Sequence, residues 1–158
     1  MVGIIVSVVI FNLISLKVKK RLTRGEMLQI WMFTALLQLV FDLFVSLKYH
    51  GYWYFNKGVD WGSLPVYLCL VPSVNVIFLN LYPLKRPLWK QLLFFLAWNV
   101  GIVLYEVLTL LPEPWGYFHY GWWKLYHSVL LNPFLLLILL GFYKLIGKME
   151  QETLIRQV

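Results

Sequence analysis

The 158-residue chain is 61% hydrophobic and only 13% charged, with a mean hydropathy of +0.72. Soluble domains carry about 25% charged residues, and a water-soluble fold of this size has too little interior to hide so much apolar surface. The expected class is therefore a polytopic membrane protein. The net charge of +7 is spread over short segments between apolar runs, as orientation signals are, and forms no solvated patch that would suit nucleic acid.

The first apolar run, Val2 to Val18, predicts a helix of 17 residues. At 1.5 Å per residue it reaches about 25 Å, short of a hydrocarbon core of about 30 Å. Lys17, Lys19 and Lys20 follow it and can snorkel to make up the difference. It has no basic start, so it reads as an uncleaved first span with its N-terminus outside. Four further helices are predicted over residues 26–47, 64–84, 88–111 and 125–146. Short connections make these four into two successive hairpins. The expected fold is one all-α transmembrane domain over residues 1–158, ending in a short cytoplasmic tail over 147–158.

Sidedness follows from Lys and Arg. One side would hold Lys17, Lys19, Lys20, Arg21, Arg24, Lys85, Arg86, Lys90, Lys144, Lys148 and Arg156, and the other only Lys48, Lys57 and Lys124. The richer side is expected in the cytoplasm of a cell-membrane protein, with the N-terminus outside and the C-terminus inside.

The two hairpins share a pattern. Phe41-Asp42, Gly51-Tyr52-Trp53-Tyr54-Phe55, Trp61, Pro72 and Tyr82 in residues 26–84 correspond to Tyr105-Glu106, Gly116-Tyr117-Phe118-His119-Tyr120, Trp123, Pro133 and Tyr143 in residues 88–146. Helices two and four run in the same direction, so the expectation is a pair of parallel repeats. Asp42 lies five residues before Leu47, and Glu106 lies five before Leu111. An acid inside a lipid-facing helix costs about 2.5–3.5 kcal/mol, so both should point into the bundle and find partners. If they meet, one should hold its proton, giving an acid–base pair.

The outer loops over 48–62 and 112–124 are rich in Tyr and Trp, whose apolar bodies and polar tips suit the headgroup layer or a lid folded over the bundle. The candidate ligand-binding residues are Tyr52, Trp53, Tyr54, Trp61, Tyr117, His119, Tyr120, Trp122 and Trp123. His50, His119 and His127 share that side without metal-ligand spacing, and Cys69 is a lone cysteine, so neither a metal nor a cofactor is expected. Asn75, Asn80, Asn99 and Asn132 sit in apolar runs and predict interhelical hydrogen bonds. Pro72 and Pro133 predict kinks.

Tyr105-Glu106, the stretch from Gly116 to Trp123, and Pro133 resemble an uncharacterised family of small multi-pass membrane proteins found in spore-forming Gram-positive bacteria. The resemblance covers the chain from the second helix onward and implies location and topology only. The functional expectation is non-enzymatic binding of a lipid or a membrane-protein partner at the outer aromatic and acidic site. Two alternatives are a membrane-embedded enzyme modifying a lipid or isoprenoid, with Asp42 and Glu106 as acid and base, and a small proton-coupled transporter.

Overall fold

The computed structural model describes residues 2–18 and 21–156. Lys19 and Lys20, counted above for sidedness, lie outside the described residues. Among the described residues there are five helices: α1 (Val2–Lys17), α2 (Arg24–Lys48), α3 (Trp61–Leu81), α4 (Leu88–Thr109) and α5 (Leu125–Arg156). The fold is all-α apart from a two-residue ribbon, in which β1 (Tyr52–Trp53) pairs antiparallel with β2 (His119–Tyr120). Helices α2 to α5 are long and apolar enough to cross a membrane.

Local signals set the helix ends. Thr23 accepts from the backbone N–H of Glu26, whose side chain accepts from the N–H of Thr23, so a capping box starts α2 two residues ahead of the predicted start. After Asp42 the helix widens into a π turn over Leu43–Lys48. Helix α3 begins as a 3₁₀ turn at Trp61–Ser63, passes through a π segment at Val66–Leu70, and becomes regular from Val71. It stops at Leu81 and not at 84, because Tyr82 is extended ahead of Pro83. Helix α5 runs on through most of the predicted tail. Its polar extension includes an exposed Lys148–Glu152 pair at 3.9 Å with i, i+4 spacing, which suits a helix and does not end one.

Helix α3 is the centre of the bundle. Its Ser73, Val76 and Phe78 are fully buried, and the latter two pack within a cluster that includes Ile30 of α2 and Leu136 and Leu139 of α5. Phe78 also meets Phe94 and Trp98 of α4, with ring centroids 5.9 and 5.6 Å apart. Pro72 has no N–H to give to the carbonyl of Leu68, four residues back. The indole of Trp31 on α2 donates to that oxygen instead, at 2.8 Å. The polar gap made by the proline thus becomes an interhelical contact.

Most of the outward surface of α4 is apolar and exposed, including Leu88, Leu92, Leu96, Val100 and Leu104. This is the surface that lipid would cover, and it would be a liability in water.

Helix α1 is short, yet it extends between the two ends of the bundle. Its Gly3 N–H donates to Pro114 O at 3.2 Å in the loop between α4 and α5. A Cβ on Gly3 would lie 2.0 Å from Trp115 O, so the contact is close enough to require glycine. Just past its other end, the backbone N–H groups of Arg21 and Leu22 both donate to Asn80 Oδ1 near the end of α3. Arg21 also donates to Tyr82 O at 2.8 Å and lies over the ring of Tyr143.

Of the four asparagines expected to join helices, Asn80 does so through that connector, and Asn75 donates to Thr34 of α2 at 3.5 Å. Asn99 bonds back to Phe95 O in its own helix, and Asn132 Nδ2 has no partner.

Candidate functional site

The two aromatic loops fold back over one end of the bundle and are sewn together by backbone. Gly51 O accepts from the N–H of Gly121 at 2.8 Å and of Trp123 at 3.0 Å. A Cβ on Gly121 would stand 2.3 Å from His50 O, so this crossing needs a residue without a side chain. Strand alternation then sorts the side chains of the ribbon. Tyr52 and Tyr54 are buried beneath it. Trp53 instead stacks on its cross-strand partner His119, with ring planes 2° apart and Lys57 Nζ 4.6 Å from the Trp53 centroid.

Beneath the ribbon each acid takes hydrogen bonds from its own donors. Asp42, almost fully buried, accepts from Tyr52 Oη and from Gln38 Nε2 at 3.1 Å. Gln38 stands one turn before Asp42 on α2, the spacing that lets the two side chains meet. Glu106 Oε1 accepts from Tyr120 Oη at 2.5 Å and from Ser128 Oγ at 2.6 Å, and Ser128 in turn accepts from the indole of Trp123 at 2.9 Å. Both acids point into the bundle, as expected from the sequence. The expectation that they share a proton rested on direct proximity, whereas here each has its own set of tyrosine and amide or hydroxyl donors.

Burial pushes the phenols of Tyr52, Tyr54, Tyr117 and Tyr120 above the ordinary value of 10.0, with the nearby carboxyl of Asp42 adding to the first two and the bond to Glu106 adding to the last. They remain protonated hydrogen-bond donors throughout the physiological range. Tyr117 shares a bond of 2.8 Å with Tyr105 of α4, which closes the aromatic layer from the side.

Under this layer lies a cavity of about 200 Å³. Its walls are mainly apolar, from Phe41, Val66, Leu70, Val74, Ile102 and Leu135, and its roof is Tyr52, Tyr54, Tyr117, Phe118 and Trp123. Its polar lining includes Gln38, Glu106, Thr109, Ser128 and Asn132. A second hollow of about 80 Å³ adjoins it deeper in the bundle, sharing Gln38, Phe41, Ile102, Asn132 and Leu135. The unpartnered Asn132 Nδ2 therefore belongs to a residue at the junction of the two. A buried amide donor left without an acceptor costs about 1–3 kcal/mol, which makes this position the least satisfied polar point of the cavity wall.

The residues singled out from sequence divide accordingly. Tyr52, Tyr54, Tyr117 and Trp123 line the cavity together with Glu106. Tyr120 holds Glu106 in place. Asp42 fixes Tyr52 and is not itself among the cavity residues. Trp61, 82% exposed, and Trp122, whose indole donates to Tyr49 O at 2.7 Å, lie on the outer surface, as does the Trp53–His119 stack. Gln38, Tyr105, Phe118 and Ser128 belong to the site and were not among the candidate ligand-binding residues, although Tyr105 and Phe118 stood in the pattern shared by the hairpins. Gln38 was legible as a polar residue one turn from an acid, while nothing in the sequence ties Ser128 to Glu106, 22 positions away. Among the described residues no cluster of His, Cys, Asp or Glu side chains forms a metal site.

No family model matches the chain, and no curated protein or solved structure is similar to it at a significant level.

Proposed function

We propose that this is a multi-pass protein of a bacterial cell membrane that binds a lipid, without transforming it, in the cavity under its outer aromatic layer. The observation that carries the proposal is the cavity itself. Apolar walls border about 200 Å³ next to a single carboxyl group, under a roof of Tyr and Trp. That combination suits an amphiphile with an apolar chain and a small polar head. Asp42 supports binding over acid–base chemistry, because its two oxygens accept from Tyr52 and Gln38 and it does not line the cavity with Glu106.

The membrane placement is supported by the four long apolar helices and by the exposed apolar face of α4. Arg21, beside Tyr82 and Tyr143, lies at the end opposite the ribbon, with Arg24 at the start of α2, Lys85 and Arg86 in the α3–α4 connection and Lys90 in the first turn of α4 at that same end. We assign that end to the cytoplasm.

The test is lipid retention. The full chain, purified in mild detergent and extracted with solvent, should yield a stoichiometric lipid by mass spectrometry. Val74→Trp, which fills the cavity from α3, should remove that lipid while the helical circular dichroism spectrum is kept. A wild-type extract no richer than that of the filled variant would overturn the proposal.

A further inference from the structure

The cavity wall also specifies the head group. Ser128 and Asn132 stand at i and i+4 on α5, so their side chains share a face about 5–6 Å apart. Ser128 donates to Glu106 Oε1 at 2.6 Å, which brings the carboxyl group of α4 within about one helical turn of the Asn132 amide. Both bonds to Glu106 fall on Oε1, so Oε2 is the acceptor left for a ligand. Asn132 Nδ2 is a buried donor without a partner. One wall of the cavity thus offers an acceptor and a donor side by side.

We infer that this pair selects a single-chain lipid with an uncharged hydroxyl head, a long-chain alcohol or a monoacylglycerol. Its hydroxyl donates to Glu106 and accepts from Asn132. The inference rests on the lipid-binding reading above. A hydroxyl is the small head group that does both things. A phosphate or carboxylate accepts from Asn132 but meets Glu106, and no Lys or Arg lines the cavity to offset the repulsion. An ammonium pairs with Glu106 but has no lone pair for the amide. An ester accepts and has nothing to donate. Asn132 lies at the junction with the deeper hollow, where Phe33, Leu37 and Leu139 form an apolar wall for the chain.

Four ligands with one and the same chain test this: oleyl alcohol, oleic acid, oleylamine and methyl oleate, each titrated into the delipidated full-length protein and followed by native mass spectrometry. Each unmatched hydrogen bond is worth about a tenfold loss, so the alcohol should bind about tenfold more tightly than any of the other three. Asn132→Leu, close in shape to the native residue, should keep the unfolding temperature and lower alcohol binding about tenfold. Glu106→Gln should also weaken the alcohol. Equal binding of all four, or a preference for the acid, amine or ester, overturns the head-group assignment while lipid binding stands. Failure of all four to bind overturns both.

Discussion

Tyr120 lies directly across the ribbon from Tyr52, and each donates to the acid of its own hairpin, Tyr52 to Asp42 of α2 and Tyr120 to Glu106 of α4. The two helices are thereby tied to one two-stranded clasp through four side chains. The ties are unequal. Asp42 is buried among its donors, whereas Glu106 is half-buried, keeps a bond from Ser128 and faces the cavity.

That inequality predicts the ranking of two phenylalanine substitutions. Tyr52→Phe removes a donor from a buried carboxyl and should destabilise the fold by about 1–3 kcal/mol. Tyr120→Phe leaves Glu106 with Ser128 and should cost about 0.5–1.5 kcal/mol. Denaturant unfolding in detergent micelles measures both, and a larger loss for Tyr120→Phe than for Tyr52→Phe would contradict the arrangement.

The glycines make a second prediction, because their surroundings differ sharply. A Cβ at Gly116 would lie 1.5 Å from Leu111 O, in the turn where Tyr117 and Phe118 both donate to Thr109 O. Backbone cannot yield as a side chain does, so Gly116→Ala should destabilise by about 3 kcal/mol, the upper end of overpacking costs. Gly101 in α4 and Gly141 in α5 have open space at the same position. Gly101→Ala and Gly141→Ala should each stabilise by about 0.5–1 kcal/mol, since alanine loses less backbone freedom on forming a helix. Thermal unfolding of the three variants, side by side, gives the comparison.

Alkaline titration should loosen the outer layer before the rest of the bundle. Tyr52, Tyr54, Tyr117 and Tyr120 titrate above 10.0 in the folded chain because they are buried, and near 10.0 once unfolded. Below pH 10.0 both states are protonated and the contribution to stability is complete. Above it the unfolded chain releases protons that the folded chain retains, so stability falls as pH rises toward the folded values. Unfolding temperatures should be flat up to pH 10.0 and drop beyond it, together with the appearance of tyrosinate absorbance. Replacing all four by Phe should flatten the alkaline drop. A wild-type chain equally stable well above that pH would refute the burial of these phenols.

The helices were legible because a long apolar run has few other solutions, and the predicted and observed spans differ by a few residues at each end except for α5, which runs ten residues past its predicted end at 146. Those differences have local causes, the Thr23–Glu26 capping box and the extended Tyr82 before Pro83 among them. The inward turn of Asp42 and Glu106 was legible from the cost of exposing an acid to lipid. Which tyrosine serves which acid was not. The sequence pattern aligns Tyr52 with Tyr117, both following a glycine, yet the donor to Glu106 is Tyr120, and Tyr117 bonds to Tyr105. The choice depends on the register of the ribbon, and a two-residue strand carries no periodicity from which register can be read. The deeper part of the cavity was hidden for a related reason. Asn132 resembles any amide in an apolar helix until its neighbours are known, and only the packing of α5 against α2 and α4 leaves it without an acceptor.

The orientation makes the last prediction. Cys69 is the lone cysteine, so a Cys69→Ala background permits single labelling sites. Lys57 lies in the loop between α2 and α3, at the ribbon end, and Arg86 between α3 and α4, at the opposite end, and both are exposed. The division expected from the sequence, three Lys or Arg against eleven, is an imbalance that stays strong when one is replaced. In intact cells Lys57→Cys should react with a membrane-impermeant maleimide, whereas Arg86→Cys should react only after permeabilisation. Reversed reactivity would put the aromatic layer and its cavity on the cytoplasmic side. Labelling of both positions from outside would mean that α3 does not cross the bilayer, which its burial between α1, α2 and α5 would then have to explain in some other way.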